Sequence, residues 1–134
     1  MVNVLSVLVI VLASCAVAHA QAVERNAKGP ANKDIRVGLY VNVQPDCTSG
    51  PLPTIRLATA PQNGKVTVKQ GRVKATNYKQ CLALEVPAYI ALYRSAAGFS
   101  GSDTLELEVK YPNGRSEIQK ITVQVTPETP GQKI

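Results

Sequence analysis

The chain predicts an all-β fold, an antiparallel two-sheet sandwich of about seven to eight strands, on three observations. Apolar and polar residues alternate with period two in one segment after another, from Ile35 to Thr126. Gly, Pro and Asn recur at regular intervals between those segments. No window carries the spacing of a long amphipathic helix. At 134 residues the chain is of single-domain length. Strand spacing alone leaves a closed barrel as the architectural alternative.

Residues 1–20 read as an export signal. Val4 to Leu12 is an almost unbroken apolar run, too short for a membrane-spanning helix, and Ala18-His19-Ala20 has the small-x-small form of a cleavage site. The segment before the run carries no Lys or Arg. Leu12-Ala13-Ser14-Cys15 offers a second processing route, a bacterial lipobox that would leave Cys15 lipidated and the domain membrane-anchored. An N-terminal strand or core helix is the structural alternative. Every charged side chain follows residue 20, so the net charge of +6 belongs to the exported part.

Residues 21–34 are polar and mixed and read as a flexible leader. The sandwich domain is expected over residues 35–126. In its first strand Ile35, Val37, Leu39, Val41 and Val43 face inward. A Pro- and Gly-rich turn region follows to Pro53, then a short strand around Ile55-Arg56-Leu57. Pro61-Gln62-Asn63-Gly64 carries the Asn-Gly hairpin signal. Lys65–Lys69 and a strand starting near Val73 are expected to form a hairpin about a Gln70-Gly71 turn. Cys81–Val86 and Ala88–Arg94 are separated by Pro87, which argues against one continuous central strand. In Thr104–Lys110, Leu105, Leu107 and Val109 face inward and Glu106, Glu108 and Lys110 outward. Tyr111-Pro112-Asn113-Gly114 is the next hairpin turn, and Ile121, Val123 and Val125 form the inner row of the last strand. Residues 127–134 are a C-terminal tail.

The chain holds three cysteines. Cys15 lies in the signal segment, so an even pair remains. In an oxidising compartment a Cys47–Cys81 disulfide is the default, worth roughly 3–4 kcal/mol by loop entropy. A redox pair would need closer spacing, and a zinc site more ligands.

The stretch Ala91-Leu92-Tyr93-Arg94-Ser95-Ala96-Ala97-Gly98-Phe99-Ser100-Gly101-Ser102-Asp103-Thr104 continues into an alternating strand and an Asn-Gly turn. Together with the earlier Ala60-Pro61-Gln62-Asn63-Gly64-Lys65-Val66, it resembles the bacterial immunoglobulin-like and cadherin-like surface modules, over about Pro61 to Val125. The resemblance implies an immunoglobulin-like sandwich in a stand-alone exported protein. It departs from those modules in being single rather than tandem, in Asn113 where they often carry Asp for calcium, and in the Tyr40–Cys81 segment. The residues by themselves give the Gly98–Asp103 stretch a structural role. Gly98 and Gly101 permit a tight turn, Phe99 plugs one end of the core, and Asp103 accepts hydrogen bonds from loop N–H groups.

Catalytic chemistry has little to work with. The sole His, His19, lies in the signal segment, which excludes Ser-His-Asp, Cys-His and His-based metal sites from the domain. Glu106 and Glu108, about 7 Å apart along one strand face, have a glycosidase-like separation, but they read as the wet face of a strand paired with Lys or Arg across the sheet. No Gly-rich phosphate loop occurs. No catalytic residue, metal ligand or cofactor is therefore expected.

Lys65, Lys69, Arg72, Lys74 and Lys79 cluster with no acid between them. They offer a basic patch for an anionic polysaccharide or membrane surface, and nucleic acid is implausible for an exported chain. Lysines that blunt an exposed strand edge are the plain alternative. Tyr40, Tyr78, Tyr89, Tyr93 and Tyr111 would add a sugar-stacking platform if exposed. The expected function is a non-catalytic binding or interaction module of the bacterial envelope, periplasmic or secreted. The alternative is a structural or accessory subunit working with another envelope protein.

Overall fold

A computed structural model describes residues 10–15, 21–75, 81 and 84–128. It contains seven strands: β1 (Gln21–Pro30), β2 (Ile35–Tyr40), β3 (Thr54–Thr59), β4 (Gly64–Ala75), β5 (Leu84–Ser95), β6 (Gly101–Lys110) and β7 (Ser116–Thr126). They form two sheets in the orders β1-β7-β6-β3 and β2-β5-β4, an immunoglobulin-like sandwich. Alternation explains the layering: the inner rows Leu105-Leu107-Val109 of β6 and Ile121-Val123-Val125 of β7 meet Ile35, Ala91 and Tyr93 of the other sheet in one core. The expected inner residues of β6 and β7 are the observed ones.

Residues 21–30 are not a flexible leader. They form β1, parallel to β7 in continuous register from Gln21↔Glu117 to Pro30↔Thr126. An edge strand with one wet face needs few apolar residues, so its composition resembles a linker. Ala31 is then fully buried, and its N–H donates to the Thr126 carbonyl at 2.9 Å. Positions 1–9 and 16–20 of the expected signal, its cleavage site included, and 129–134 of the expected tail lie outside the described residues. Ile10, Val11 and Leu12 are exposed.

In β2 the alternation breaks. A bulge between Arg36 and Gly38 flips the side-chain parity, so Tyr40 points inward and Leu39 outward, and the strand stops at Tyr40 rather than reaching Val43. The Asn63-Gly64 pair does not make a hairpin. It carries the chain from β3 in one sheet to β4 in the other. Gly64 is required there by crowding: a Cβ would lie 2.6 Å from Tyr93 Cε2 and 2.7 Å from the Arg94 carbonyl oxygen.

The Gln70-Gly71 turn is also absent. β4 runs straight through it, paired residue for residue with β5 from Gly64↔Ser95 to Ala75↔Leu84. Pro87 likewise lies within β5, opposite Arg72. β2 ends at the Tyr40↔Tyr89 pair, so β5 at Pro87 has β4 as its one strand neighbour, where a missing N–H is tolerated. These two continuities reduce eight expected strands to six, and β1 supplies the seventh. The Tyr111–Gly114 hairpin forms as expected, with Gly114 at φ +88° and Tyr111 N–H donating to the Arg115 carbonyl at 2.8 Å.

Candidate functional site

The unbroken β4–β5 register decides which cations meet. Lys65 and Lys69 lie on the solvent face of the β2-β5-β4 sheet. Arg72 and Lys74 have the opposite parity, and Arg72 Nη2 donates to the Glu85 carbonyl at 3.0 Å. The expected five-residue patch is therefore split, because one continuous strand replaces the hairpin that was to gather it. Lys79 lies outside the described residues.

The tertiary structure assembles a different cationic cluster. Lys65 pairs directly across from Arg94, and Thr67 across from Leu92, which in turn stands opposite Arg36. Asp34, Lys65, Thr67, Lys69, Leu92 and Arg94 line one open groove of about 320 Å³ on that face. Asp34 Oδ1 accepts from Arg94 Nε at 2.9 Å, with both side chains substantially exposed, so the pair is worth little. Like charges directly opposed across a sheet are destabilising. The groove thus presents Lys65, Lys69 and one partly neutralised Arg94 to solvent. Arg94 and Arg36 were missed because only cross-strand pairing brings them here; the outward parity of Arg94 beside Tyr93 was the one available signal.

The tyrosines supply no exposed platform among the described residues. Tyr40 and Tyr93 are buried, Tyr89 and Tyr111 pack against the core, and Tyr78 lies outside the described residues.

The Gly98–Asp103 stretch is a structural corner. Gly98 and Gly101 have φ of +81° and +126°, and Phe99 packs against the core between them. Asp103, 4 % exposed, accepts from the backbone N–H of Gln62 at 3.1 Å, Asn63 at 3.0 Å and Thr104 at 3.0 Å, and from Tyr93 Oη–H at 2.7 Å. Burial, then this hydrogen bond and the Asp103 charge, push the Tyr93 hydroxyl well above its usual range.

A second polar tie joins the sheets. Fully buried Gln119 accepts from Tyr40 Oη–H at 2.5 Å and donates to Glu117 Oε2 at 2.7 Å. Burial pushes the Tyr40 hydroxyl up to about 12; Arg25 opposes the shift, while Tyr111 and Glu117 add to it. Gln119 had no signal in the sequence beyond sharing parity with Ile121.

Cys47 and Cys81 form the expected disulfide, with S–S 2.11 Å and Cα–Cα 5.3 Å. It ties the loop after β2 to the chain just before β5. The loop is locally shaped by Asp46, which accepts from the Thr48 hydroxyl at 2.5 Å and its N–H at 3.1 Å; these bonds hold the Asp46 carboxyl below its usual range.

The remaining carboxylates on β6 are engaged in the sheet. Arg56 Nη2 meets Glu108 Oε2 at 2.6 Å, and Thr59 donates to Glu106 at 2.9 Å. Among the described residues no three His, Cys, Asp or Glu side chains converge as a metal site. No family model, curated protein or solved structure matches the chain. The fold is of a class typical of non-catalytic interaction modules, and its sandwich architecture hosts many functions.

Proposed function

We propose that the protein is a non-catalytic binding module of the bacterial envelope, akin to the immunoglobulin-like and cadherin-like surface modules, and that it takes an anionic polysaccharide on the outer face of β2-β5-β4. The observation that carries this reading is the direct opposition of Lys65 and Arg94 with Lys69 beside them in one open groove. An arrangement that weakens the sheet and concentrates positive potential is suited to capturing a polyanion. Export is supported by the disulfide and by Ile10, Val11 and Leu12, an apolar run that the folded domain leaves exposed. Lipidation at Cys15 would anchor the same module to a membrane.

The test is retention of the purified protein on immobilised heparin across a salt gradient. The wild type binds at low salt and elutes as salt screens the contact. Lys65→Glu with Lys69→Glu lowers affinity by about tenfold or more, and Arg72→Glu with Lys74→Glu, an equal change in charge on the other face, lowers it far less. Equal loss in both pairs would reduce the effect to net charge and sink the reading. Vesicles containing phosphatidylglycerol distinguish a lipid surface from a glycan.

A further inference from the structure

We infer that the far edge of β4 receives an acidic, extended strand of a partner protein, with one apolar side chain of that strand seated in the groove beside Val68. This interaction shares Lys65 and Lys69 with polysaccharide capture on the outer face but depends on the backbone edge of β4.

β4 is an edge strand of 12 residues, and no described strand pairs with its far side. A free edge presents a row of backbone N–H and C=O groups to any extended chain. Of the other edge strands, β2 and β3 are 6 residues each and both carry a register shift, a bend that discourages pairing, while β1 is regular over 10 residues but carries Glu24 and ends in Pro30. β4 is twice as long as β2 or β3 and keeps one register throughout.

Charge selects the occupant. β4 carries Lys65 and Lys69 on one face and Arg72 and Lys74 on the other, and no acidic residue from Gly64 to Ala75. A second copy of β4 would oppose cation to cation across the new pair, which is destabilising. A strand with carboxylates on both faces pairs favourably.

Lysines alone are also what protects an edge from aggregation. The groove goes beyond that protective role. Val68 has the inward parity of Val66, yet it is 40 % exposed. With Leu52, Pro53, Thr54, Ile55 and Tyr89 it lines an opening of about 300 Å³ between β3 and β4. Side chains of an added strand alternate between faces, so the one beside Val68 falls at the mouth of this opening.

The test titrates the oxidised full chain with a peptide of about ten residues that carries Glu on both faces and a single central Val, followed by fluorescence anisotropy and amide hydrogen exchange. The expected result is binding that slows exchange along β4. A version N-methylated at every backbone amide, so that neither of its edges can pair, should bind about tenfold or more weakly, since it keeps the charge and loses the ladder. Val68→Gln, which removes the apolar contact without changing charge, should weaken the unmodified peptide by a similar factor and leave heparin retention unchanged. Absence of binding, equal binding of the N-methylated peptide, or protection confined to other strands would overturn the proposal. Wild-type protein suffices for each of those outcomes.

Discussion

The Tyr93 hydroxyl, on one sheet, donates to Asp103 Oδ2, on the other, at 2.7 Å. The same carboxylate takes three backbone N–H groups, two of them from the β3–β4 crossover. One buried side chain therefore fixes both the spacing of the sheets and the path of the crossover. Asp103→Ala leaves these donors without an acceptor and should cost about 3 kcal/mol; Tyr93→Phe removes one donor and should cost about 1.5 kcal/mol. Urea denaturation of the oxidised variants measures both. A loss under about 0.5 kcal/mol for Asp103→Ala would show that water replaces the carboxylate at little cost.

Gly64 sits against the ring that carries that hydroxyl. Gly64→Ala would place a methyl 2.6 Å from Tyr93 Cε2 and 2.7 Å from backbone oxygen, and the backbone cannot yield as a flexible side chain would. The expected destabilisation is about 2–3 kcal/mol. Combined with Tyr93→Phe it should be non-additive, because the displaced ring has already lost its bond to Asp103. Strict additivity in a double-mutant cycle would refute the coupling.

Stability should fall at alkaline pH. Tyr40 and Tyr93 both ionise less readily when folded than their ordinary value of 10. Above pH 10 the unfolded chain releases these protons while the native state retains them, so their contribution is full below pH 10 and declines as pH rises. For Tyr40 the decline extends to about 12. Urea midpoints measured across that range should drop, and Tyr40→Phe should flatten the slope.

Two polar contacts of similar length should differ in worth. Arg56–Glu108 is 2.6 Å long, but Arg56 is 70 % exposed, so Glu108→Gln should change stability by under about 1 kcal/mol. Gln119 is fully buried and serves both Tyr40 and Glu117. Gln119→Leu should cost about 2–3 kcal/mol by stranding the Tyr40 hydroxyl. The same urea titrations compare the two.

Reduction of Cys47–Cys81 should destabilise the domain by about 3–4 kcal/mol, the loop-entropy value for a separation of 34 residues. Melting curves with and without reductant read the difference. A shift as large in Cys47→Ser/Cys81→Ser protein would point to the reductant acting elsewhere.

Period-two alternation was enough, from sequence alone, to determine an all-β chain and the inner rows of β6 and β7, because a strand with one wet face writes its orientation into every second residue. The Asn113-Gly114 pair marked the Tyr111–Gly114 hairpin. Compartment chemistry and cysteine parity pointed to Cys47–Cys81 in the same way. The choice of two open sheets over a barrel came from the strand pairing. Where a choice depended on a partner strand, local signals failed. Gln70-Gly71 and Pro87 both punctuate the sequence, yet pairing over β4 and β5 overrides them. β1 carries almost no apolar periodicity and is held by a parallel ladder to β7. The bulge between Arg36 and Gly38 reverses parity, and Gly38, a lone glycine within the alternating run, is a local cue to it that the alternation outweighed. The cationic groove followed the same rule: Lys65 and Lys69 were legible, but only register could part them from Arg72 and Lys74 and bring Arg94 across from Lys65. Side-chain identity sets which face of a strand is wet; which side chains become neighbours on that face is decided by pairing between segments distant in the chain.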